Sequence, residues 1–162
     1  MASSALLPLS FPRAHFVSAA KDDICACGVF IAISEDLYFS IFWNGGKGTN
    51  KKAEAMALHG LLSFCTFMDI GPIKVYGDSK TIIDHVKGMQ KITNDCLSGW
   101  LNRIASLWNS VTFPIAHIKC NQNDQANAMS KKGLHSPISN WYLVITMDSC
   151  AYEIQPFYMA DI

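Results

Sequence analysis

The chain has 162 residues, which is enough for one domain with a single hydrophobic core. Apolar residues make up 50% of it, which excludes a disordered chain, and charged residues only 16%, against about 25% in typical proteins. Thirteen basic and thirteen acidic side chains cancel, so the basic excess of most phosphate-binding proteins is absent from the total. Such a sparsely charged surface fits a protein that is partly covered by another protein, or a monomer of moderate solubility.

The N-terminus and the cysteines bear on the compartment. Residues 1–13 predict a flexible or leader-like segment, rich in serine and free of acidic residues, as in organelle transit peptides. Residues 14–20 are needed as a strand, so any cleavage would fall near Pro12. We expect an unprocessed, frayed segment, with organelle targeting as the alternative. The six cysteines are scattered without a C-x-x-C pair, which predicts free thiols in a reducing intracellular compartment, the cytoplasm or nucleus. No apolar run approaches the ~20 residues of a membrane helix.

The first half of the chain predicts a hairpin followed by a helix. The stretches "CACGVFIAI" (25–33) and "DLYFSIFW" (36–43) are rich in strand-forming residues and are separated by a short connection. The glycine-rich "NGGKGTN" (44–50) follows the second stretch, before a helix, and lacks the pattern of a phosphate-binding loop. A helix is predicted over 50–67, because its residues are good helix formers with an apolar stripe.

Glu54 lies on the apolar face of this predicted helix. The residues that follow it at helical spacing are all apolar: Leu58, Leu61, Leu62 and Cys65. A surface salt bridge at the helix start is the alternative position for Glu54, and the apolar stripe argues against it. A charge on a buried face is costly unless a cation or hydrogen-bond donors meet it. We therefore expect Glu54 to point at whatever the helix packs against.

The stretch "PIKVYGDSK" (72–80) predicts a short buried strand that ends near Asp78. Ligands in α/β proteins bind at the carboxyl ends of strands, so Asp78 is a candidate site residue, although it could also be a helix cap. Ser79 is a candidate N-cap of the helix that follows.

The second half predicts two helices, over 94–109 and 124–134, on either side of a strand at 111–119. The two tryptophans of the first helix, Trp100 and Trp108, are expected in the core. His117 and Cys120 have metal-ligand spacing, but no second pair completes a zinc site. The aromatic-rich extension 135–162 is expected either to pack on the domain as an extra strand or helix, or to face a partner. The element order indicates an α/β fold with a mixed sheet.

Four segments together carry a family resemblance: "FVSAAK", "TNKKAEAMAL", "VYGDSKTIID" and "AHIKCNQNDQANAMSKKGL". In this order and spacing the chain resembles the ribonuclease H family, most closely the plant retroelement-type domains associated with reverse transcriptases. The resemblance covers residues 14–134. It implies an RNase H-like fold, in which three antiparallel strands and two parallel additions form a mixed five-stranded sheet flanked by helices.

The resemblance also implies a chemistry, and two of its four carboxylates are missing. Such enzymes cleave the RNA strand of RNA–DNA hybrids with two Mg²⁺ ions, held by four converging acidic residues. Glu54 and Asp78 match the second and third of these. Val17 stands at the first position and brings no oxygen, and Asn127 stands at the fourth and brings no charge. Asp22 and Asp23 are interpreted as hairpin-turn residues rather than replacements for the lost ligand.

The positions that contact substrate in the family are also altered. Asn50 and Ser79 match, but Lys51 stands where a second asparagine is expected. His117 matches a strand-end histidine, for which either a proton-transfer role or a packed or surface position is open. Four lysines near the cleft form either a modest basic rim or ordinary solvated charges: Lys47, Lys51, Lys52 and Lys80.

The sequence therefore predicts an RNase H-like domain without effective nuclease activity, retained as a binding module with a protein partner. An active ribonuclease that uses Mg²⁺ or Mn²⁺ is the first alternative, and a non-catalytic binder of RNA–DNA hybrid or RNA is the second. We expect a divalent cation only if metal binding or activity is retained. No membrane association is expected.

Overall fold

The computed structural model describes residues 10–110, 114–138 and 140–157. Their strands and helices are, in chain order, β1 (Arg13–Lys21), β2 (Ile24–Ser34), β3 (Leu37–Lys47), α1 (Asn50–Phe67), β4 (Lys74–Gly77), α2 (Lys80–Val86), α3 (Asp95–Ser110), β5 (Ile115–His117), α4 (Asp124–Leu134), β6 (Trp141–Met147) and β7 (Cys150–Phe157). A short 3₁₀ turn, Cys120–Gln122, precedes α4. Residues 1–9 and 111–113 lie outside the described part, so the predicted leader and the start of the predicted strand at 111–119 cannot be compared with it.

The strands form one mixed sheet in the order β5-β4-β1-β2-β3-β6-β7. The first three strands are antiparallel neighbours, and β4 and β5 add to β1 in parallel. This confirms the predicted α/β class and the arrangement of the first five strands. The sheet has seven strands rather than five, because β6 and β7 extend it beyond β3.

The two additional strands belong to the C-terminal extension. The sequence predicts that this extension either packs on the domain as a strand or helix or faces a partner. Stacked rings join β6 to β3: the Trp43 and Trp141 centroids are 3.8 Å apart, and those of Phe42 and Tyr142 are 5.0 Å apart. The turn between β6 and β7 has positive φ angles at both Asp148 and Ser149, a conformation that matches the twist of a tight hairpin. The extension therefore continues the sheet as a hairpin.

The core lies mainly between one face of the sheet and the helices α1, α2 and α3. Alternation along β1 directs Ala14 and Phe16 into this core and Val17 to the opposite face, which α4 covers. The face of α1 that carries Glu54 is buried, as predicted. Gly28 allows α4 to approach β2, because a Cβ at this position would lie 2.5 Å from the Ala126 carbonyl oxygen.

Three further observations concern the sequence-based expectations. All six cysteines are free, as expected. Asp22 and Asp23 form the β1–β2 turn with positive φ angles, which confirms their interpretation as turn residues. Within the described ranges, the helices are too short or too polar to cross a membrane.

Candidate functional site

The four positions that correspond to the expected carboxylates lie around the middle of β1 and the carboxyl end of β4. Phe16 is opposite Gly77 in the parallel pairing of these strands. Val17, which continues β1, and Asp78, which follows the end of β4, are therefore neighbours on strands that are about 4.8 Å apart. His117 lies on the other side of β4 from Val17, since it is paired with Gly77 at the end of β5.

The first turn of α1 is attached to β1 directly after Val17. The Ser18 hydroxyl donates to Asn50 Oδ1 at 2.7 Å, and Thr49 caps the helix by accepting from the Lys52 backbone N–H at 3.2 Å. Glu54 lies about one helical turn beyond Asn50 and is only 6% exposed. These contacts attach the first turn of α1, which precedes Glu54, to β1 at the residue after Val17.

The start of α4 is attached to the same point of β1 through Asn123, which sequence reasoning did not single out. Its side-chain amide donates to the Phe16 carbonyl oxygen at 3.2 Å, and its Oδ1 lies 3.0 Å from His15 Nδ1. Asn123 is 1% exposed, so its polar atoms need these internal partners. Asn127 follows one turn later. Asn123 is the first residue of the segment "NDQAN", but a search for metal ligands in this segment considers only the last residue, Asn127.

His15 is the centre of this buried network. Arg13 Nε donates to His15 Nε2 at 3.2 Å, so the imidazole is neutral and its Nδ1–H donates to Asn123. Burial lowers the pKa of His15 to about 4; the charge of Arg13 also lowers it, and the Asn123 hydrogen bond opposes both. The ring stacks on Tyr76 with centroids 5.3 Å apart. A neutral His15 is therefore part of what holds α4 on the sheet.

Val17 and Asn127, where the resemblance implies carboxylates, make contacts within the domain. Val17 is 3% exposed and belongs to a small apolar cluster with Phe30, Ala32 and Ala126. The Asn127 amide donates to the Cys120 carbonyl oxygen at 3.2 Å and to its Sγ at 3.4 Å. Neither side chain offers a charged oxygen where the family resemblance implies a metal ligand.

The donors present do not fit a pair of Mg²⁺ ions. Mg²⁺ requires several oxygen ligands in near-octahedral geometry, and only Glu54 and Asp78 supply carboxylates at the expected positions. Across the described ranges, no group of three or more His, Cys, Asp or Glu side chains could hold a metal ion. Glu54 Oε1 instead has the Lys51 ammonium 3.5 Å away.

The remaining predicted site residues have varied surroundings. Asn50, Lys51 and His117 are exposed. Ser79 occupies the N-cap position of α2 as predicted, but its hydroxyl makes no capping hydrogen bond and is buried without a partner within the described part of the chain.

Three of the four lysines of the expected basic rim have local partners. Lys51 pairs with Glu54, Lys52 Nζ donates to the Lys47 carbonyl oxygen, and Lys80 pairs with Asp84. Carboxylates thus meet the charges of two of the four rim lysines, Lys51 and Lys80.

Comparison with known proteins identifies the family and the fold. A sequence profile described as reverse transcriptase-like matches residues 17–133, which is most of the chain. The comparison with curated protein sequences gave no match.

Several solved structures share the fold at low sequence identity. RNase H1 from the halophilic archaeon Halobacterium salinarum is 21% identical over 76% of this chain and 97% of its own, with a TM-score of 0.71. LC11-RNase H1, solved in complex with an RNA/DNA hybrid, is 20% identical over 75% and 95%, with a TM-score of 0.68. The N-terminal RNase H domain of rv2228c from Mycobacterium tuberculosis is 13% identical over 76% and 94%, also with a TM-score of 0.68. The chain therefore belongs to the reverse transcriptase-like family and has the RNase H-like fold.

Proposed function

We propose that this protein is a catalytically impaired RNase H-like domain that acts as a binding module. The observation that carries the proposal is Val17, an apolar residue that is 3% exposed at the position where the family resemblance implies a carboxylate. A buried valine in an apolar cluster supplies neither charge nor hydrogen bonds to a reaction. The side chain contributes to packing instead.

The expected loss of activity is large. Removing one well-placed electrostatic group from an active site typically costs ~2.7–4 kcal/mol of transition-state stabilisation, or ~10²–10³ in rate. Two substituted positions, Val17 and Asn127, correspond to about 10⁴–10⁶ if their effects are independent. A nuclease impaired to this extent is indistinguishable from background in an ordinary assay.

The test of impairment is a cleavage assay on an RNA–DNA hybrid with Mg²⁺ or Mn²⁺. We expect no cleavage above background from the wild type. The double variant Val17→Asp/Asn127→Asp is expected to gain activity, once circular dichroism has shown that it folds. Wild-type cleavage that disappears in Glu54→Gln or Asp78→Asn would show instead that the protein is an active metal-dependent ribonuclease.

We propose a protein as the binding partner. The chain has no net charge, and three of the four rim lysines have local partners. The β6–β7 hairpin, at the edge of the sheet, exposes Met147 by 48% and Tyr152 by 57%, and both residue types are enriched at protein interfaces. These features favour an apolar contact over a contact with phosphates.

Nucleic-acid binding is the second candidate, because Asn50 and Ser79 match positions that touch the hybrid in the family and the cation Lys51 stands at a third such position. It predicts hybrid binding whose affinity falls steeply with salt as counterions are released. A fluorescently labelled hybrid titrated at two salt concentrations separates the candidates. Weak binding with little salt dependence is expected, and tight, strongly salt-dependent binding contradicts a protein-only role.

The protein partner is tested by comparing surface variants in affinity capture. Proteins retained by the wild type are expected to be retained by Met89→Ser and lost by Met147→Ser/Tyr152→Ser. Met89 is the matched control because it is 72% exposed in the segment between α2 and α3, away from the hairpin. Equal capture by all three proteins would contradict the assignment to the hairpin.

A further inference from the structure

An ion pair lies inside the candidate site. Lys51 Nζ is 3.5 Å from Glu54 Oε1, and the two residues are three positions apart in α1. The Glu54 side chain is 8% exposed, whereas that of Lys51 is 47% exposed. The ammonium thus reaches from the surface towards a carboxylate that is nearly excluded from water.

Glu54 needs a positive neighbour because burial penalises its charge. In the chemistry that the family resemblance implies, four carboxylates face two divalent cations. Here the site keeps two carboxylates, Glu54 and Asp78, and has gained the ammonium of Lys51. This ammonium faces Glu54, so the buried carboxylate has a counter-charge without a divalent ion.

We infer that Lys51 is the resident cation of this site and stands in the place of a divalent metal ion beside Glu54. The ammonium compensates the buried carboxylate and repels any dication that approaches it. The cleft of the wild-type protein therefore does not take up Mg²⁺ or Mn²⁺ at millimolar concentrations. The inference deepens the proposed function and rests on it, because it describes how the site keeps its acidic residues without metals.

The size of the expected effect follows from Coulomb's law. An ammonium and a dication about 5 Å apart in water repel each other by an amount equivalent to roughly tenfold in binding affinity. The repulsion is stronger where the site is partly dry. Removing the ammonium is therefore expected to tighten Mn²⁺ binding about tenfold or more, although two carboxylates still form a weak site.

The test is a titration of the full chain with Mn²⁺, followed by paramagnetic broadening of backbone amide signals in NMR spectra. For the wild type we expect no selective broadening around Glu54 and Asp78 at low millimolar Mn²⁺. The Lys51→Ala variant is expected to show selective broadening of these signals at an Mn²⁺ concentration about tenfold lower than the wild type requires. Lys51→Gln serves as a second variant that keeps the length of the side chain.

Two further variants isolate the ion pair. Lys52→Ala removes a neighbouring lysine whose Nζ donates to the Lys47 carbonyl oxygen, and it is expected to behave like the wild type. Lys51→Ala/Glu54→Gln is expected to lose the gained Mn²⁺ binding. If the wild type already binds Mn²⁺ at Glu54, or if neither Lys51 variant binds it more tightly, the inference is overturned.

Failure of this inference is distinguishable from failure of the proposed function. A wild type that binds Mn²⁺ at Glu54 but leaves the hybrid intact overturns only the role of Lys51. A wild type that cleaves the hybrid overturns the proposed function itself.

Discussion

The free energy of unfolding is expected to decrease as the pH is lowered from neutral to mildly acidic, because two buried histidines stay neutral in the folded protein. His15 and His59 are 4% and 5% exposed. Burial lowers the pKa of each to about 4, and a nearby arginine lowers it further, Arg13 for His15 and Arg103 for His59. In the unfolded chain both pKa values return towards 6.5.

The direction follows from proton linkage. Between pH 6.5 and 4 the unfolded chain binds protons that the folded chain does not, so the free energy of unfolding falls as the pH falls. The contribution is fully present above pH 6.5 and is lost by about pH 4. Between about pH 7.5 and 5, linkage gives a loss of about 2 kcal/mol for each histidine, or about 4 kcal/mol for the two.

The assay is urea unfolding monitored by circular dichroism at these two pH values. His15→Gln removes one titrating group, and we expect it to reduce the loss from about 4 to about 2 kcal/mol. His135→Gln is the matched control, since His135 is exposed, and it should leave the loss unchanged. A loss in His15→Gln that equals the wild-type loss within about 0.5 kcal/mol would refute the assignment, because that is the usual limit of additivity.

Two further predictions concern packing. His59 Nδ1 is buried without a hydrogen-bond partner in the described part of the chain. We therefore expect His59→Leu to increase the free energy of unfolding at pH 7.5 by about 1–3 kcal/mol and so to raise the midpoint temperature of thermal unfolding. A lower midpoint would indicate a partner for Nδ1. Two glycine-to-alanine variants are expected to change the free energy of unfolding, measured in urea, in opposite directions. Gly28→Ala should lower it by about 1–3 kcal/mol because the added Cβ would meet the backbone of α4 at 2.5 Å. Gly99→Ala in α3 should raise it by about 0.5–1 kcal/mol because nothing lies within 4 Å of the added Cβ, and a stabilised Gly28→Ala would contradict the close approach of α4.

Local patterns in the sequence were enough to predict most of the fold up to residue 134. The period of apolar residues in α1 placed Glu54 on the buried face, and the structure confirms this. The turn at Asp22 and Asp23 was also predictable, because a short polar pair separates two strand-forming runs. The C-terminal hairpin was not, since its turn, Asp148 and Ser149, lacks the glycine that marks most two-residue hairpins.

Motif spacing predicts the residues of the candidate site but not the contacts that they make. The four residues are Val17, Glu54, Asp78 and Asn127, and their functional role stays a prediction. The hydrogen bonds of Asn123 to β1 join residues more than a hundred positions apart, and no local pattern reveals such a pair. The ion pair of Lys51 with Glu54 was within reach of the sequence, because residues three apart in a helix are neighbours on its surface.

The β6–β7 hairpin changes which part of the sheet meets the surroundings. Without it, β3 would be an open edge of 11 residues, with the faces of Phe42 and Trp43 no longer covered by Tyr142 and Trp141. Long apolar edges are templates for unwanted pairing between chains. The hairpin thus covers β3 against self-association, and among the described strands β7 becomes the edge strand. The exposed part of β7 includes Tyr152 and a charged residue, Glu153.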